Sequence, residues 1–155
     1  MIFKIGQGIK MPVVLDENAF MPHRAHDADA GLDLFSPEDA VVPARGSVEI
    51  DTGVHIDLPT IDFGHGLVLY TVGILKSKSG LNFKHGITSN GTIDVGYTGS
   101  IRVKLYNNSD VDYHIRRKDK ITQLVIMPVL TPKIVQVDTL GATERGDGGF
   151  GSTGR

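Results

Sequence analysis

Short runs of alternating apolar and polar residues dominate this sequence and favour a fold built from strands. The alternation is clear in residues 48–51, 54–58 and 101–105, and it is looser in 134–137. Alternation of this length is typical of strands that bury one face. Turn residues separate the runs, and 19 glycines and 7 prolines among 155 residues supply many of them. The sequence therefore predicts an all-β fold of many short strands, arranged as a jelly roll, sandwich or barrel.

Residues 67–75 are the most apolar stretch, and their β-branched content suits a central strand buried on both faces. No long amphipathic helix is apparent, and residues 81–86 are sufficient for one helical turn. One domain is expected at this length, so we assign residues 1–155 to a single domain. Within it, residues 146–155 are rich in glycine and have almost nothing to bury, which predicts a mobile C-terminal arm.

The charge balance and the lack of cysteine exclude several classes of protein and site. The chain has 16 Lys and Arg residues and 18 Asp and Glu residues, so the formal net charge is -2. This balance argues against a domain that binds nucleic acid chiefly through phosphates. No apolar run is long enough for a transmembrane helix, so no membrane association is expected. Without cysteine there is no disulfide and no thiolate metal site, and a cytoplasmic location is expected.

The C-terminal segment has the composition of a phosphate-binding loop. Glycines in residues 144–155 allow backbone N–H groups to approach an anion, and Arg145, Ser152 and Thr153 add donors. A lone aromatic side chain, Phe150, has no core to join and is suited to stack on a flat ligand ring. On composition alone, a disordered tail is the competing interpretation.

Residues 89–99 form a second candidate segment. Asn90-Gly91 is a strong signal for a hairpin turn, and Asp94 lies on the strand that leaves this turn. A carboxylate there is able to act as a general base that activates water. Tyr97 follows three residues later. The alternatives are an aspartate that caps its own turn and a tyrosine buried in the sheet.

Three further segments carry polar groups beside strand-like runs. Residues 76–87 place four basic or potentially basic side chains and two hydroxyls near Gly80, which suits phosphate binding or a solvated surface. Residues 30–35 enclose Asp33 in an apolar run, where a carboxylate needs a partner, a metal or a structural hydrogen bond. Residues 118–124 form a charged turn that enters a strand carrying an amide.

Together and in this order, the five segments resemble the motifs of the trimeric dUTPase family. The five motif segments are residues 30–34, 77–86, 91–99, 119–124 and 145–154, of which the last is the most specific. The resemblance implies a β-rich jelly roll that forms homotrimers, with each active site drawing motifs from three subunits. It also implies hydrolysis of dUTP to dUMP and pyrophosphate, with Mg²⁺ as cofactor.

The resemblance implies a role for individual residues. Asp94 would be the general base for the water that attacks the α-phosphorus, Tyr97 would lie under the deoxyribose, and Asp33 would hold Mg²⁺ through its water shell. Uracil would be read by a hairpin that contains Asn90, Gly91, Thr92 and Ile93. The phosphate chain would be contacted by Lys78, Ser79, Gly80 and Gln123. The arm would cover the nucleotide with Arg145, Gly149, Phe150, Gly151, Ser152 and Thr153.

The sequence departs from the family pattern at several positions. Lys78 stands where the family usually has Arg, and a lysine lacks the bidentate fork of a guanidinium group. Gly96 replaces a common acidic residue, Lys118 replaces a usual glycine, and the hairpin at 87–94 is short. Residues 59–78 are longer than expected, and this insertion is expected to form a surface hairpin or a site for a protein partner.

Two alternative functions use the same fold. A dCTP deaminase would need a carboxylate on the strand that follows Asp94, at about the position of Lys104. A non-catalytic regulator that binds nucleotides or proteins would need no general base. The residues at the motif positions favour catalysis over both alternatives.

Overall fold

Twelve strands and one short helix make up the regular structure of residues 2–4 and 8–148, which a computed structural model describes. The strands are β1 (Ile2–Lys4), β2 (Val13–Leu15), β3 (Gly31–Phe35), β4 (Ala40–Val42), β5 (Ser47–Asp51), β6 (Val54–Ile56), β7 (Thr60–Gly64), β8 (Leu67–Lys76), β9 (Ile87–Asp94), β10 (Arg102–Asn107), β11 (Tyr113–Ile115) and β12 (Lys120–Val129). The helix is α1 (Ser79–His85). Within these residues, no helix has the length and apolar character needed to cross a membrane.

The predicted alternation of buried and exposed residues is confirmed in the strands that build the core. β5 and β10 pair antiparallel, with Ile50 opposite Val103, and both side chains are fully buried. Along β10, buried residues alternate with exposed ones that face outwards. The core is completed by buried aliphatic side chains from the other strands, including Leu34, Val42, Val54, Leu58, Ile87, Leu105, Ile121 and Leu124.

Strand β8 lies at the centre of the main sheet and joins the segments that carry the motifs. The strand order is β1-β7-β8-β9-β10-β5, and β12 pairs with both β8 and β3. The first half of β8 pairs with β7, whereas its second half pairs with β9. The β3, β9 and β12 segments therefore meet around the end of β8, from which the chain continues into α1.

The insertion at 59–78 forms a surface hairpin, as predicted. β7 and β8 pair antiparallel, and the two residues between them are His65 and Gly66. Both have positive φ angles, 52° and 80°. Two consecutive positive φ angles are typical of the two-residue turns whose twist matches that of paired strands.

The prediction that 67–75 is buried on both faces is wrong. Leu67 is 56% exposed and Tyr70 is 40% exposed, because the first half of β8 extends with β7 beyond the core. Only the second half contributes buried residues, at alternate positions up to Leu75. The strand itself is confirmed, since it runs from Leu67 to Lys76.

The looser alternation at 134–137 does not produce a strand. Residues 130–148 contain no helix or strand, and Ile134 is 94% exposed. A strand needs a neighbour to bond its backbone groups, and within the described residues no strand pairs with this segment. Residues 81–86, expected to form one helical turn, belong to the seven-residue helix α1.

Candidate active site

The turn that carries the catalytic candidates lies after Asp94 and not at Asn90-Gly91. β9 continues through Asn90-Gly91 to Asp94, so the predicted hairpin turn at that dipeptide is wrong. The chain turns at Val95-Gly96, where Gly96 has a φ of 87° and the Tyr97 N–H donates to the Asp94 carbonyl over 3.1 Å. The residue that makes this turn is Gly96, at the position that departs from the family pattern.

Gly91 serves the packing of β9 and not its turning. It pairs with Leu75 on β8, and a Cβ atom on Gly91 would lie 3.0 Å from the Leu75 Cδ1 atom. A glycine in a strand often marks such a close approach. The pairing between β8 and β9 therefore overrides the turn preference of the Asn-Gly dipeptide.

A pocket of about 220 Å³ opens where β9 and β10 diverge. β9 pairs with β10 only through residues 87–89, and residues 90–94 pair with β8 on their other edge. Along an antiparallel strand, every second residue directs its N–H and C=O groups away from a given neighbour. Backbone groups in 90–94 thus face the pocket. Its walls include Gly91, Thr92, Ile93, Asp94 and Tyr97, together with Leu75, Ile101 and Arg102.

Asp94 and Tyr97 both expose their side chains at the rim of this pocket. Asp94 is exposed, and no hydrogen bond or ion pair engages its carboxylate within the described residues. It therefore does not cap its own turn. Tyr97 is 46% exposed, so it is not a buried sheet residue, and its hydroxyl donates to the Ser100 carbonyl over 3.0 Å. The structure thus places a carboxylate and an aromatic face side by side.

Gly99 determines where the Tyr97 ring lies. A Cβ atom on Gly99 would lie 2.5 Å from the Tyr97 hydroxyl oxygen, closer than packed atoms allow. We expect Gly99→Ala to displace the ring and to raise KM for the nucleotide by roughly tenfold, because misplacement of a binding group is costly. Gly141→Ala is the matched control, since nothing lies within 4 Å of a Cβ atom there. An unchanged KM in Gly99→Ala would contradict this role for the ring.

The partner that Asp33 requires is supplied by two lysines. Asp33 is 4% exposed on β3, and one carboxylate oxygen accepts a hydrogen bond from Lys78 Nζ. Its other oxygen lies 2.8 Å from Lys120 Nζ. Burial by itself raises the pKa of Asp33, but the hydrogen bonds and charges of Lys120 and Lys78 outweigh it and lower the pKa. We call Lys78, Asp33 and Lys120 the charge cluster; its net charge is positive.

The lowered pKa of Asp33 predicts a pH dependence of stability. Its ionised form contributes stability that is present above the unfolded pKa and is lost as the pH falls through the folded pKa. Removing a hydrogen-bonded buried charge costs about 1–3 kcal/mol, so we expect Asp33→Asn to lower the free energy of unfolding by this amount at pH 7. Urea titrations between about pH 3 and 7 would show a flatter profile for the variant.

The matched control for that experiment is Asp110→Asn. Asp110 pairs with Arg45 on the surface, where both side chains are more than half exposed. Exposed ion pairs contribute little to stability. An equal loss in both variants would contradict a special contribution from Asp33.

The described side chains do not fit a resident magnesium site. Both carboxylate oxygens of Asp33 already face ammonium groups, and the described residues contain no group of three His, Asp or Glu side chains able to hold a metal. Mg²⁺ prefers several oxygen ligands in octahedral geometry. A contact between Asp33 and Mg²⁺ through water stays a prediction.

Gln123 lies beside the charge cluster on β12. It is in register with Asp33 on β3 and with Lys76 on β8, and its Nε2 donates to the Ser77 carbonyl over 3.2 Å. A Cβ atom on Gly31 would lie 2.3 Å from the Gln123 Oε1 atom, so the glycine leaves space for this amide. Ser79 and Gly80 begin α1 next to Lys78 and are exposed.

The sequence did not indicate the hydroxyl groups that join these strands. Ser77 Oγ accepts from the Ser89 N–H over 2.9 Å, and Ser89 Oγ lies 2.7 Å from Thr122 Oγ1. Thr122 in turn donates to the Lys76 carbonyl over 3.0 Å. Ser89 and Thr122 are both buried on their strands, but Thr122 follows buried Ile121 at a shift in register, so the alternation carries no signal for it.

The predicted site residues that the structure describes form two groups. One group is the pocket at Asp94 and Tyr97, and the other is the charge cluster with Gln123. Asp94 is in register with Val72 and Asn90 is in register with Lys76. Four residues along a strand span about 13 Å, so Asp94 lies about that far along β9 from the level of Lys76 and Gln123.

The arm is described only up to Gly148. Arg145 lies in an exposed turn, where its Nε donates to the Gly148 carbonyl over 2.8 Å. Five predicted site residues lie outside the described residues: Gly149, Phe150, Gly151, Ser152 and Thr153.

Comparison with protein families and curated relatives agrees with the motifs. The family model for dUTPase matches residues 17–154. A deoxyuridine 5'-triphosphate nucleotidohydrolase of Clostridium acetobutylicum is 43% identical over 143 residues, covering 90% of this chain and 92% of the relative. The enzyme of the same name from Arabidopsis thaliana is 42% identical over 141 residues, covering 90% of this chain and 80% of that protein.

Solved structures of phage dUTPases share the fold. The dUTPase of Staphylococcus bacteriophage 80alpha with dUPNHPP aligns with a TM-score of 0.83 and 31% identity, covering 94% of this chain and 99% of that chain. A mutant dUTPase from phage phi11 of S. aureus, described for the coordination of a structural Mg(II) ion, has a TM-score of 0.71 and 31% identity over 84% of this chain and 98% of that chain. The all-β jelly roll is therefore confirmed, and this chain belongs to the dUTPase family.

Proposed function

We propose that this chain hydrolyses dUTP to dUMP and pyrophosphate, with Asp94 as the general base. The observation that carries the proposal is the Asp94 carboxylate, exposed and without a partner in the described residues, at the rim of a nucleoside-sized pocket. A general base must reach the proton it abstracts directly or through one water, and an exposed carboxylate meets this requirement. Attack by the activated water on the α-phosphorus releases pyrophosphate and leaves dUMP.

The unpaired edge of β9 supports recognition of uracil. Residues 90–94 direct backbone donors and acceptors into the pocket where β10 has diverged. A base that presents the matching groups would bond to them, whereas the amino group of cytosine would face an N–H donor. Asn90 lies at the start of this edge, and Gly91, Thr92 and Ile93 line the pocket itself.

The Tyr97 ring supports selection of the sugar. The aromatic ring is half-exposed and held between the turn at Val95-Gly96 and the Ser100 carbonyl. A deoxyribose ring would pack flat on such a face, and a 2′-hydroxyl pressed against it would lose its hydrogen bonds to water.

The charge cluster supports binding of the phosphate chain. A triphosphate carries about four negative charges, and phosphoryl transfer depends mainly on positioning and on neutralising charge. Lys78 and Lys120 share one carboxylate, so positive charge remains beside the exposed start of α1 at Ser79 and Gly80. Gln123 adds an amide donor next to them.

We propose that Mg²⁺ enters as part of the substrate. Phosphate oxygens are the hard ligands that Mg²⁺ prefers, and the ion keeps several of its waters when bound. The separation of the described carboxylates supports this assignment over a protein-held ion.

We also propose that the chain acts as a homotrimer with shared active sites. Within one chain, Asp94 lies about 13 Å along β9 from the level of Gln123, so a neighbouring copy would be needed to bring phosphate-binding groups closer to Asp94. The segment after β12 supports assembly, because its large apolar side chains Leu130, Ile134, Val135 and Leu140 are each at least 68% exposed. Arg145 and the arm beyond Gly148 would then cover a neighbouring site.

The alternative functions receive less support. Lys104, at the position where a deaminase needs a carboxylate, points outward on β10 with its Nζ 5.5 Å from the centre of the Tyr106 ring. A regulatory role beside catalysis is favoured by one observation, the β7–β8 hairpin. This hairpin exposes Phe63, Leu67 and Val68, each at least 39%, and we propose it as the surface for a protein partner.

Pyrophosphate release tests the proposed function. We expect release from dUTP and not from dCTP, dTTP or UTP, and we expect EDTA to abolish it. Light scattering on the same sample would show a trimer. Release of ammonia from dCTP would favour the deaminase. Binding of dUTP without release of pyrophosphate would favour the regulator.

A further inference from the structure

His55 on β6 contacts the turn that carries Tyr97, although it lies outside all five motif segments. Its Nδ1 is 2.9 Å from the Thr98 carbonyl oxygen, and its Nε2 is 3.3 Å from Asp16 Oδ2. The imidazole ring is 28% exposed and forms one wall of a cavity of about 350 Å³. β6, the loop after β2 and the turn after β9 are thus joined through one side chain.

The two partners of the ring determine its protonation. A carbonyl and a carboxylate are both acceptors, so both ring nitrogens must carry a hydrogen to satisfy them. Only the imidazolium form does this. In the neutral form, one ring nitrogen would direct a lone pair at an acceptor oxygen.

The charged groups around His55 favour the same form. Asp16 and Asp51 act on the ring through their charges, and Asp57 lines the same cavity. The hydrogen bond to Thr98 and that to Asp16 raise the pKa of His55 above its usual value, and the modest desolvation of the ring does not reverse this. The backbone of Asp16 is fixed, because its N–H donates to the Gly53 carbonyl over 2.8 Å.

We call the two hydrogen bonds of His55, to Thr98 and to Asp16, the tie. It holds the turn that carries Tyr97 at one of two anchor points. The first anchor is Thr98, whose carbonyl accepts from His55. The second is Ser100, whose hydroxyl donates to Asp51 while its carbonyl accepts from Tyr97. Tyr97 directly precedes the first anchor and bonds to the second, so loss of the Thr98 contact would remove one of the two supports of the ring.

We propose that protonated His55 is a positioning residue that holds the Tyr97 turn against β6 and thereby makes nucleotide binding depend on pH. The proposal rests on the proposed function, since Tyr97 is taken to pack on the nucleotide. At low pH, the imidazolium bonds to Thr98 and Asp16. As the pH rises through the pKa of folded His55, the ring keeps one hydrogen for two acceptors, so the bond to Thr98 is made only part of the time and the turn loosens.

The experiment compares wild type, His55→Gln and a control across pH 6 to 8.5. We expect the ratio of the wild-type KM for dUTP to the KM of His55→Gln at the same pH to rise roughly fivefold over this range, with kcat changing little. His55→Gln lacks the imidazole, so its KM carries every pH dependence except that of His55, and the control should follow wild type. The terminal phosphate of dUTP titrates in the same range, so the ratio at each pH, and not the KM itself, isolates His55.

The matched control is His26→Gln. His26 also pairs with an aspartate, since its Nδ1 is 3.2 Å from Asp29 Oδ2, but its side chain is 84% exposed and the pair is local. Nitrogen-15 spectra of the His55 ring and of the Thr98 amide give a second readout that needs no turnover. We expect both ring nitrogens to be protonated at pH 6 and the Thr98 signal to follow the His55 titration.

Two results would overturn the proposal. One is a wild-type KM ratio that stays constant relative to His55→Gln over the whole range. The other is a neutral His55 ring at pH 6, which would show that the ring does not bond to both acceptors. A complete lack of dUTP turnover in wild type would instead contradict the proposed function, and the spectra would still test the tie.

Discussion

Asp94→Asn is expected to bind a non-hydrolysable dUTP analogue as tightly as wild type and to release pyrophosphate about 10²- to 10⁴-fold more slowly. The substitution removes the basic oxygen and keeps the shape of the side chain. Since the Asp94 carboxylate makes no hydrogen bond or ion pair within the described residues, its replacement should leave the fold unchanged. Stopped assays of pyrophosphate and calorimetric titration with the analogue would measure the two effects separately.

Asp110→Asn is the matched control, because Asp110 is an 81% exposed carboxylate that pairs only at the surface. Its turnover should equal that of wild type. Full turnover in Asp94→Asn would remove Asp94 from the mechanism. Loss of analogue binding in the same variant would instead assign it a binding role.

Deletion of residues 146–155 is expected to reduce turnover by roughly a hundredfold while the oligomeric state stays the same, since the proposed closure of the arm over the substrate would contribute positioning and exclude water. The deleted residues include the predicted phosphate donors Ser152 and Thr153 and the predicted lid Phe150. Removal of Arg155 alone is the control and should cost little. A fully active truncated chain would exclude a lid role for the arm.

Strand alternation was sufficient to predict β5, β6 and β10, because burial of one face imposes the same period on sequence and structure. β5 and β10 show this clearly, with Ile50 and Val103 buried between exposed neighbours. Prediction failed where the outcome depends on a neighbouring strand or on the extent of the core, neither of which the alternation shows. Residues 134–137 alternate but have no partner in the described chain, and the first half of β8 is apolar but extends beyond the core.

The site was predictable in its residues and less so in its geometry. The carboxylate and tyrosine at Asp94 and Tyr97 line one pocket, as their proximity in sequence suggested. The prediction of a turn at Asn90-Gly91 was wrong, because the turn preference of a dipeptide is weaker than the pairing of a whole strand with β8. The partners of Asp33 could not be identified from sequence alone, because they are brought to it by β12 and by the end of β8.

The charge cluster has a consequence for how the protein is made. Asp33, Lys78 and Lys120 come from early, middle and late parts of the chain, and their contacts depend on the pairing of β3 with β12. Contacts between residues that are distant in sequence form slowly, because the entropy of closing a long loop is lost before the contact energy is gained. A ribosome-bound chain that ends before β12 lacks Lys120 and also lacks the strand that joins β3 to β8. The charge cluster is therefore incomplete in such a chain, and competence for phosphate binding should appear only when synthesis is nearly complete.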